Sequence, residues 1–454
     1  MTQVPVSGTD RDTREETQPP NAPSSRSDAG RSQFDRAAAL TGLARKPTVA
    51  ILASTATHGT ITAKYAQALV EAGADVHILQ SKARSTPEYQ QGVVRTSAAI
   101  EYFPRGRRNL WQPAFYRRRV ELMNADVVVA EDPGLLQLGT RYARISGARL
   151  VYMPFEYYPG ASYATAAESA RWKEIERRCA AYVHSWIMLG DKIAELYAGV
   201  LAPREAVHVV YSGWPKSVTG GAPRLRKAIQ ASPEVRTILY QGIVAERRGL
   251  WDVLDAMLLL PEWVHFAVLG MGETERLRQD ARDRGLAGRV HVLGAVPQVE
   301  LIDYAKDADI GIIPIRRVGL SYDLCSPSKL FECIGAGLPL VVSRLQQLEW
   351  YVTRHGIGEV FDTQSPDDMA RAVMSMLGNH EHLAQCREQC RRLQEQEACW
   401  EVQANRLQQA VLGEHMPIDN LAVTARFAAA AESGRLGTEP RHERFGPTSE
   451  PAGH

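Results

Sequence analysis

Lys329 and Glu332 lie three residues apart in SPSKLFECIGAGLPLVVS, residues 326–343. That spacing puts both side chains on one face of a helix. Ser326 and Pro327 form a start signal, the serine able to cap and the proline tolerated in the first turn. Gly337 supplies a left-handed stop and Pro339 prevents continuation, ahead of the apolar strand LPLVVS. Exposed amides at the start of such a helix favour an anion, and Lys329 adds a full positive charge. A carboxylate at Glu332 accepts two hydrogen bonds at once, as a sugar diol would offer. The plain alternative is a surface pair between Lys329 and Glu332, worth only about 0.2–0.5 kcal/mol. A second cationic group lies in YQGIVAERRG, residues 240–249, where Arg247 and Arg248 fall at the expected start of a helix. Cations there oppose the helix dipole, which a shared anion would offset; solvated surface arginines are the alternative.

These groups must be carried by elements, and the pattern supplies two similar series. TVAILAS (48–54), DVHIL (75–79), ADVVVAE (125–131), ARLVYMP (148–154) and SWIMLG (185–190) read as buried strands. Helices are expected after His58-Gly59 through Ala72, and at 163–181 and 191–198. The Gly220-Gly221-Ala222-Pro223 stretch suits a hinge. Beyond it, TILYQG (237–242), VHFAVLG (264–270), VHVLG (290–294), IGIIPI (310–315) and LPLVVS (338–343) alternate with helices at 249–259, 273–284, 298–306, 327–336 and 366–377. Strand–helix alternation of this kind means α/β units with parallel sheets covered on both faces. Ligands then sit beyond the carboxyl ends of the strands, which places the site in the cleft between the halves.

Bulk properties limit what the site can serve. A chain of 454 residues exceeds one ordinary core, and its 44% hydrophobic and 23% charged content is that of a globular protein. A formal net charge of +1 gives no general pull toward nucleic acid. No apolar run is long enough to span a bilayer, and the polar N-terminus lacks a secretory apolar region, so a cytoplasmic location is expected. Six cysteines do not suggest a disulfide framework. His382, Cys386 and Cys390 share a helix face, but without a fourth ligand the packed-thiol reading is preferred to a metal site. Residues 1–45 and 415–454 are too poor in apolar positions to offset ordering entropy and are expected to be disordered.

In this order, YQGIVAERRG, FAVLGMGE, VHVLGAVPQVEL, YAKDADIGIIPI and SPSKLFECIGAGLPLVVS resemble the donor-binding domain of retaining glycosyltransferases of family 4, the group 1 glycosyltransferases with a GT-B fold. ADVVVAEDPGLLQLG, GARLVYMPFEYYPG and WKEIERRCAAYVHSWIMLGDKIAELY are similar to the acceptor-side domain, and ACWEVQANRLQQAVL to a terminal crossover helix. The resemblance covers about residues 46–414 and implies an acceptor domain at 46–215, a linker at 216–232, a donor domain at 233–397 and a crossover helix at 398–414. It implies a nucleotide-sugar as co-substrate, with no metal or resident cofactor, and a glycan, lipid-linked or small-molecule acceptor. Arg248 and Lys329 would hold the diphosphate and Glu332 the ribose hydroxyls. Gly59, Gly242, Arg247, Gly294, Ala295, Val296, Ser326, Pro327, Ser328 and Leu330 would complete donor binding. Two departures stand out. Leu324 occupies the place of a first family glutamate, for which the adjacent Asp323 is the expected substitute, and Ile243 replaces an arginine.

On the acceptor side His58, Asp132 and Glu156 follow strand ends and are expected to face the cleft, with turn or capping roles as the alternative. Arg105, Arg107, Arg108, Arg117, Arg118 and Arg119, interleaved with aromatics, offer a surface for anionic lipid or form a solvated face. A non-catalytic binding or scaffolding subunit on the same fold is the competing class. An NAD-dependent oxidoreductase would need G-x-G-x-x-G after a first strand, which neither STATHGT nor LGMGETE supplies.

Overall fold

The computed structural model describes residues 46–53, 59–81, 96–103, 118–121, 123–201, 203 and 207–413. The expected tails, His58 and most of the basic 105–119 stretch lie outside them. The N-terminal unit runs β1 (Thr48–Ala53), α1 (Gly59–Glu71), β2 (Asp75–Ser81), β3 (Ala99–Phe103), β4 (Val127–Ala130), α2 (Pro133–Ser146), β5 (Arg149–Tyr152), α3 (Ala166–Cys179), β6 (Ser185–Met188), α4 (Asp191–Leu201) and β7 (Val207–Val209). Its strands are all parallel, in the order β3-β2-β1-β4-β5-β6-β7. Every residue of β1, β4 and β6 is buried. That explains the unbroken apolar runs: a parallel strand covered by helices on both faces has no solvent side.

The C-terminal unit runs β8 (Arg236–Gln241), α5 (Leu250–Met257), β9 (Val264–Leu269), α6 (Thr274–Asp283), β10 (Val290–Gly294), α7 (Leu301–Ala305), β11 (Ile310–Ile313), α8 (Ser328–Gly335), β12 (Leu340–Ser343), α9 (Gln346–His355), β13 (Gly358–Phe361), α10 (Pro366–Leu377), α11 (His380–Leu393) and α12 (Trp400–Leu412). Its sheet is again parallel, ordered β10-β9-β8-β11-β12-β13. Strand order reverses between β1 and β4 in one sheet and between β8 and β11 in the other. In open parallel sheets such switch points leave a crevice at the carboxyl ends.

The chain crosses between units between Val210, packed in the N-terminal core, and Tyr211, packed in the C-terminal one. It returns at Cys399, which pairs with Trp214. From there α12 packs on the N-terminal unit, with Trp400 stacked on Tyr65 at 5.4 Å. The Gly220–Pro223 stretch, expected as the hinge, is instead docked on the C-terminal unit. Gly221 N donates to Asp303 Oδ1, and Arg224 pairs with Asp303 at 3.3 Å and Glu300 at 2.6 Å. Glycine there serves close approach to Asp303, since a Cβ at Gly220 would stand 2.3 Å from Oδ1.

No helix among the described residues is long and apolar enough to cross a membrane. The cysteines at 386 and 390 are buried in the core, and His382 Nε2 lies 3.1 Å from Glu359.

Candidate functional site

β8 ends in Gln241 and hands the chain to Gly242, whose φ is +130°. Glycine is required there by conformation, and a side chain would also crowd Lys329 Nζ at 3.0 Å. Glu246–Arg248 then form one tight turn that ends in Gly249, where a Cβ would stand 1.7 Å from the Pro314 carbonyl oxygen. Arg316 fixes this turn from the other side. It makes a two-pronged bond to Asp252 at 2.6 and 2.7 Å, while its own N–H donates to the Arg247 carbonyl at 3.2 Å. The arginines thus sit in the turn before α5 rather than in its first turn, and Arg248 leans over the Tyr322 ring at 5.6 Å.

On α8, Lys329 lies 4.1 Å above the Tyr240 ring. Among the described residues neither it nor Arg248 has a carboxylate partner, so the simple pair with Glu332 does not form. Burial, with the neighbouring Arg248 charge, lowers the Lys329 ammonium to about 7. Glu332 turns to amides instead, accepting from Gln241 Nε2 at 3.1 Å and Gln298 Nε2 at 3.3 Å. Burial raises its pKa above the usual carboxylate value, and the Gln298 bond, Lys329, Lys64 and the Gln241 bond oppose that rise. Ser326 does not cap α8. The helix begins at Ser328 with Pro327 in the capping position, and the Ser326 hydroxyl is buried without a partner among the described residues.

Gly242, Arg247, Arg248, Ala295, Val296, Ser326, Pro327, Ser328, Lys329 and Glu332 all line one cavity of about 590 Å³, with Phe155, Glu156 and Tyr163 of the N-terminal unit on its far side. Gly294 ends β10 just before this wall, and Gly59 opens α1. Two expected donor residues are elsewhere. Leu330 is fully buried in the C-terminal core. Asp323 does not replace the missing acid: its carboxylate accepts from the Gln346 backbone at 3.0 Å and side chain at 2.7 Å and pairs with Arg317 at 3.2 Å. Leu324 points away too, joining the core cluster of the N-terminal unit. A side chain tied up in interdomain packing leaves that part of the cavity without the acid.

Among the acceptor-side residues, Asp132 caps α2, its Oδ1 accepting from Leu135 N at 2.9 Å, and it does not line the cavity. Glu156 does line it, accepting from Tyr163 at 2.6 Å and, across the cleft, from Ser321 at 2.7 Å. Of the basic stretch, Arg118 is exposed, whereas Arg119 is held by Glu101 through two bonds of 2.5 Å. Gln241, Gln298 and Ser321 were not anticipated. A polar side chain closing an apolar strand was the available signal for Gln241. Glu131, at the same end of β4, is buried with Thr62 as its donor at 2.7 Å, and burial pushes it up to about 8.

Known structures share this fold. Sucrose-phosphate synthase from Thermosynechococcus elongatus is 16% identical, with a TM-score of 0.65 over 80% of this chain and 98% of its own. Anabaena HepE, solved with UDP and glucose, is 14% identical with a TM-score of 0.62 over 80% and 97%. WaaG, a glycosyltransferase involved in lipopolysaccharide biosynthesis, is 16% identical with a TM-score of 0.56 over 81% and 100%. The architecture is therefore GT-B, two Rossmann-like units facing each other across a cleft. Residues 222–393 match the family described as glycosyl transferases group 1, and residues 59–215 match glycosyltransferase family 4. The chain belongs to the group 1 glycosyltransferases. No curated protein matches its sequence.

Proposed function

We propose that this protein transfers a sugar, with retention of configuration, from a nucleoside diphosphate sugar to a hydroxyl of a glycan, glycolipid or small-molecule acceptor. The observation that carries this reading is the convergence of Arg248 and Lys329, without carboxylate partners among the described residues, and of Glu332 on one interdomain cavity. Arg248, Lys329, the unpartnered Ser326 hydroxyl and the amides that open α8 suit a diphosphate. Glu332 suits a ribose diol. As the bond from the anomeric carbon to phosphate breaks, negative charge grows on the leaving oxygen. Fixed cations in a partly dry cleft then stabilise the transition state more than the ground state. The leaving phosphate itself takes the acceptor proton on the same face of the sugar, so no separate base is required. HepE was solved with UDP and glucose, which makes UDP-sugars the first donors to test. WaaG's role makes lipid-linked glycans a reasonable first acceptor class.

A scaffolding role is favoured by one observation, the burial of Leu324 in the opposite unit where a family acid would stand. Turnover separates the two. Incubated with UDP- and GDP-sugars, the full chain is expected to release nucleoside diphosphate slowly even without acceptor, and Glu332→Ala to lower that rate about tenfold or more at subsaturating donor while remaining folded. Donor binding with no release over a broad acceptor panel would support the scaffold instead.

A further inference from the structure

The segment between β11 and α8 belongs to the C-terminal unit, yet its middle is held by the N-terminal one. One helical turn, Leu320–Asp323, lies against the Tyr158–Gly160 turn, so closely that a Cβ at Gly160 would stand 3.0 Å from the Leu320 Cβ. Ser321 Oγ donates to Glu156 Oε2 at 2.7 Å, and Leu324 is buried in the N-terminal core. The C-terminal unit holds the same turn through Asp323, which pairs with Arg317 at 3.2 Å and accepts from Gln346 at 2.7 and 3.0 Å. Between these two sets of ties stands Tyr322, on the cavity wall, with the Arg248 guanidinium 5.6 Å from its ring centroid. That contact matters because no opposite charge steers Arg248. Among the described residues it has no carboxylate partner, and the neighbouring Lys329 ammonium repels it when charged. An aromatic face attracts a cation without neutralising it, so the ring can hold the guanidinium while leaving its charge for a phosphate.

We infer that Tyr322 is a positioning residue for Arg248 and that the N-terminal unit sets its place: the Ser321–Glu156 bond and the buried Leu324 hold the ring against the guanidinium. This rests on the nucleotide-sugar reading of the cavity and adds to it a physical link between the two walls of the cleft. A tie to the opposite unit thus contributes to diphosphate binding without touching phosphate. Leu324 gains a function of its own at the position where the resemblance implies an acid, since it anchors the turn that carries Tyr322.

The test is titration calorimetry of UDP and GDP on the full chain, with melting curves to confirm folding. For whichever nucleotide binds, Tyr322→Leu is expected to weaken it about fivefold, and Tyr322→Phe, which keeps the ring, to stay within about twofold of wild type. Ser321→Ala, which removes the tie and leaves the ring, is also expected to weaken it about fivefold. In an Arg248→Gln background both losses should shrink to within about twofold, because no guanidinium is left to place. Melting-point shifts at millimolar nucleotide extend the comparison to affinities too weak for calorimetry. A residue that merely supports the fold, or that touches the nucleotide itself, would give the same loss in both backgrounds. Equal losses in the two backgrounds, a Tyr322→Phe variant as weak as Tyr322→Leu, or wild-type affinity in folded Ser321→Ala would overturn the inference. If Tyr322→Leu is not folded, Ser321→Ala decides it. Failure of wild type to bind either nucleotide would instead overturn the nucleotide-sugar reading on which it rests.

Discussion

At the scale of single residues, the cavity is organised by charges that lack their usual partners. Lys329 illustrates the consequence. With its ammonium lowered to about 7, the Lys329 amine of the empty site is mostly neutral at pH 8. An entering diphosphate favours the protonated form, so binding takes up a proton and weakens as pH rises above 7. Calorimetry between pH 7.5 and 9, above the phosphate's own titration near pH ~6, should show proton uptake that differs in heat between Tricine and Tris buffers. Affinity should fall by at most about tenfold per pH unit. Lys329→Arg, which stays charged, should flatten that profile; a flat wild-type profile would count against the assignment. Gly242, Lys329 and Glu332 were legible in the sequence because their types and spacing form a motif. The partners of Glu332 were not, because Gln241 and Gln298 come from other strands and loops, and only the folded sheet brings them together. Ser326 was misread because serine before proline looks like a cap, whereas the helix begins two residues later.

At the scale of elements, the buried strands were legible and the edges were not. β1, β8, β9 and β11 are apolar runs that announce themselves, and their observed limits fall within about two residues of the pattern. β3, β7 and β13 escaped notice. Each is short and sits at or beside the rim of its sheet, with residues such as Glu101, His208 and Glu359 interrupting the apolar run. The helix α2 was hidden for a different reason: Asp132-Pro133-Gly134 looks like a turn, yet Asp132 is the cap and Pro133 occupies the first turn. Asp132→Ala should therefore lower the unfolding free energy by about 1 kcal/mol, measured by urea denaturation, and leave sugar transfer intact. Loss of transfer with unchanged stability would return Asp132 to the acceptor site.

At the scale of the whole molecule, the two halves were visible as repeating patterns, but how they meet was not. The contacts are made by residues with no signature. Leu324 enters the opposite core, Ser321 donates to Glu156 across the cleft, and Gln347 of the C-terminal unit accepts from Lys192 N at the start of α4 at 2.8 Å. On the far side the two chain crossings run together at Trp214 and Cys399. Between these ties the carboxyl ends of β5 and β6 in one sheet and of β8, β9 and β10 in the other border one cavity, which is the physical basis of the functional reading. The most direct test is calorimetric binding of UDP and GDP to wild type, Arg248→Ala, Lys329→Ala and Glu332→Ala, with melting curves confirming that each is folded. The account predicts that one nucleotide binds wild type and that each substitution weakens it by about tenfold or more. Binding undiminished in all three folded variants would contradict it.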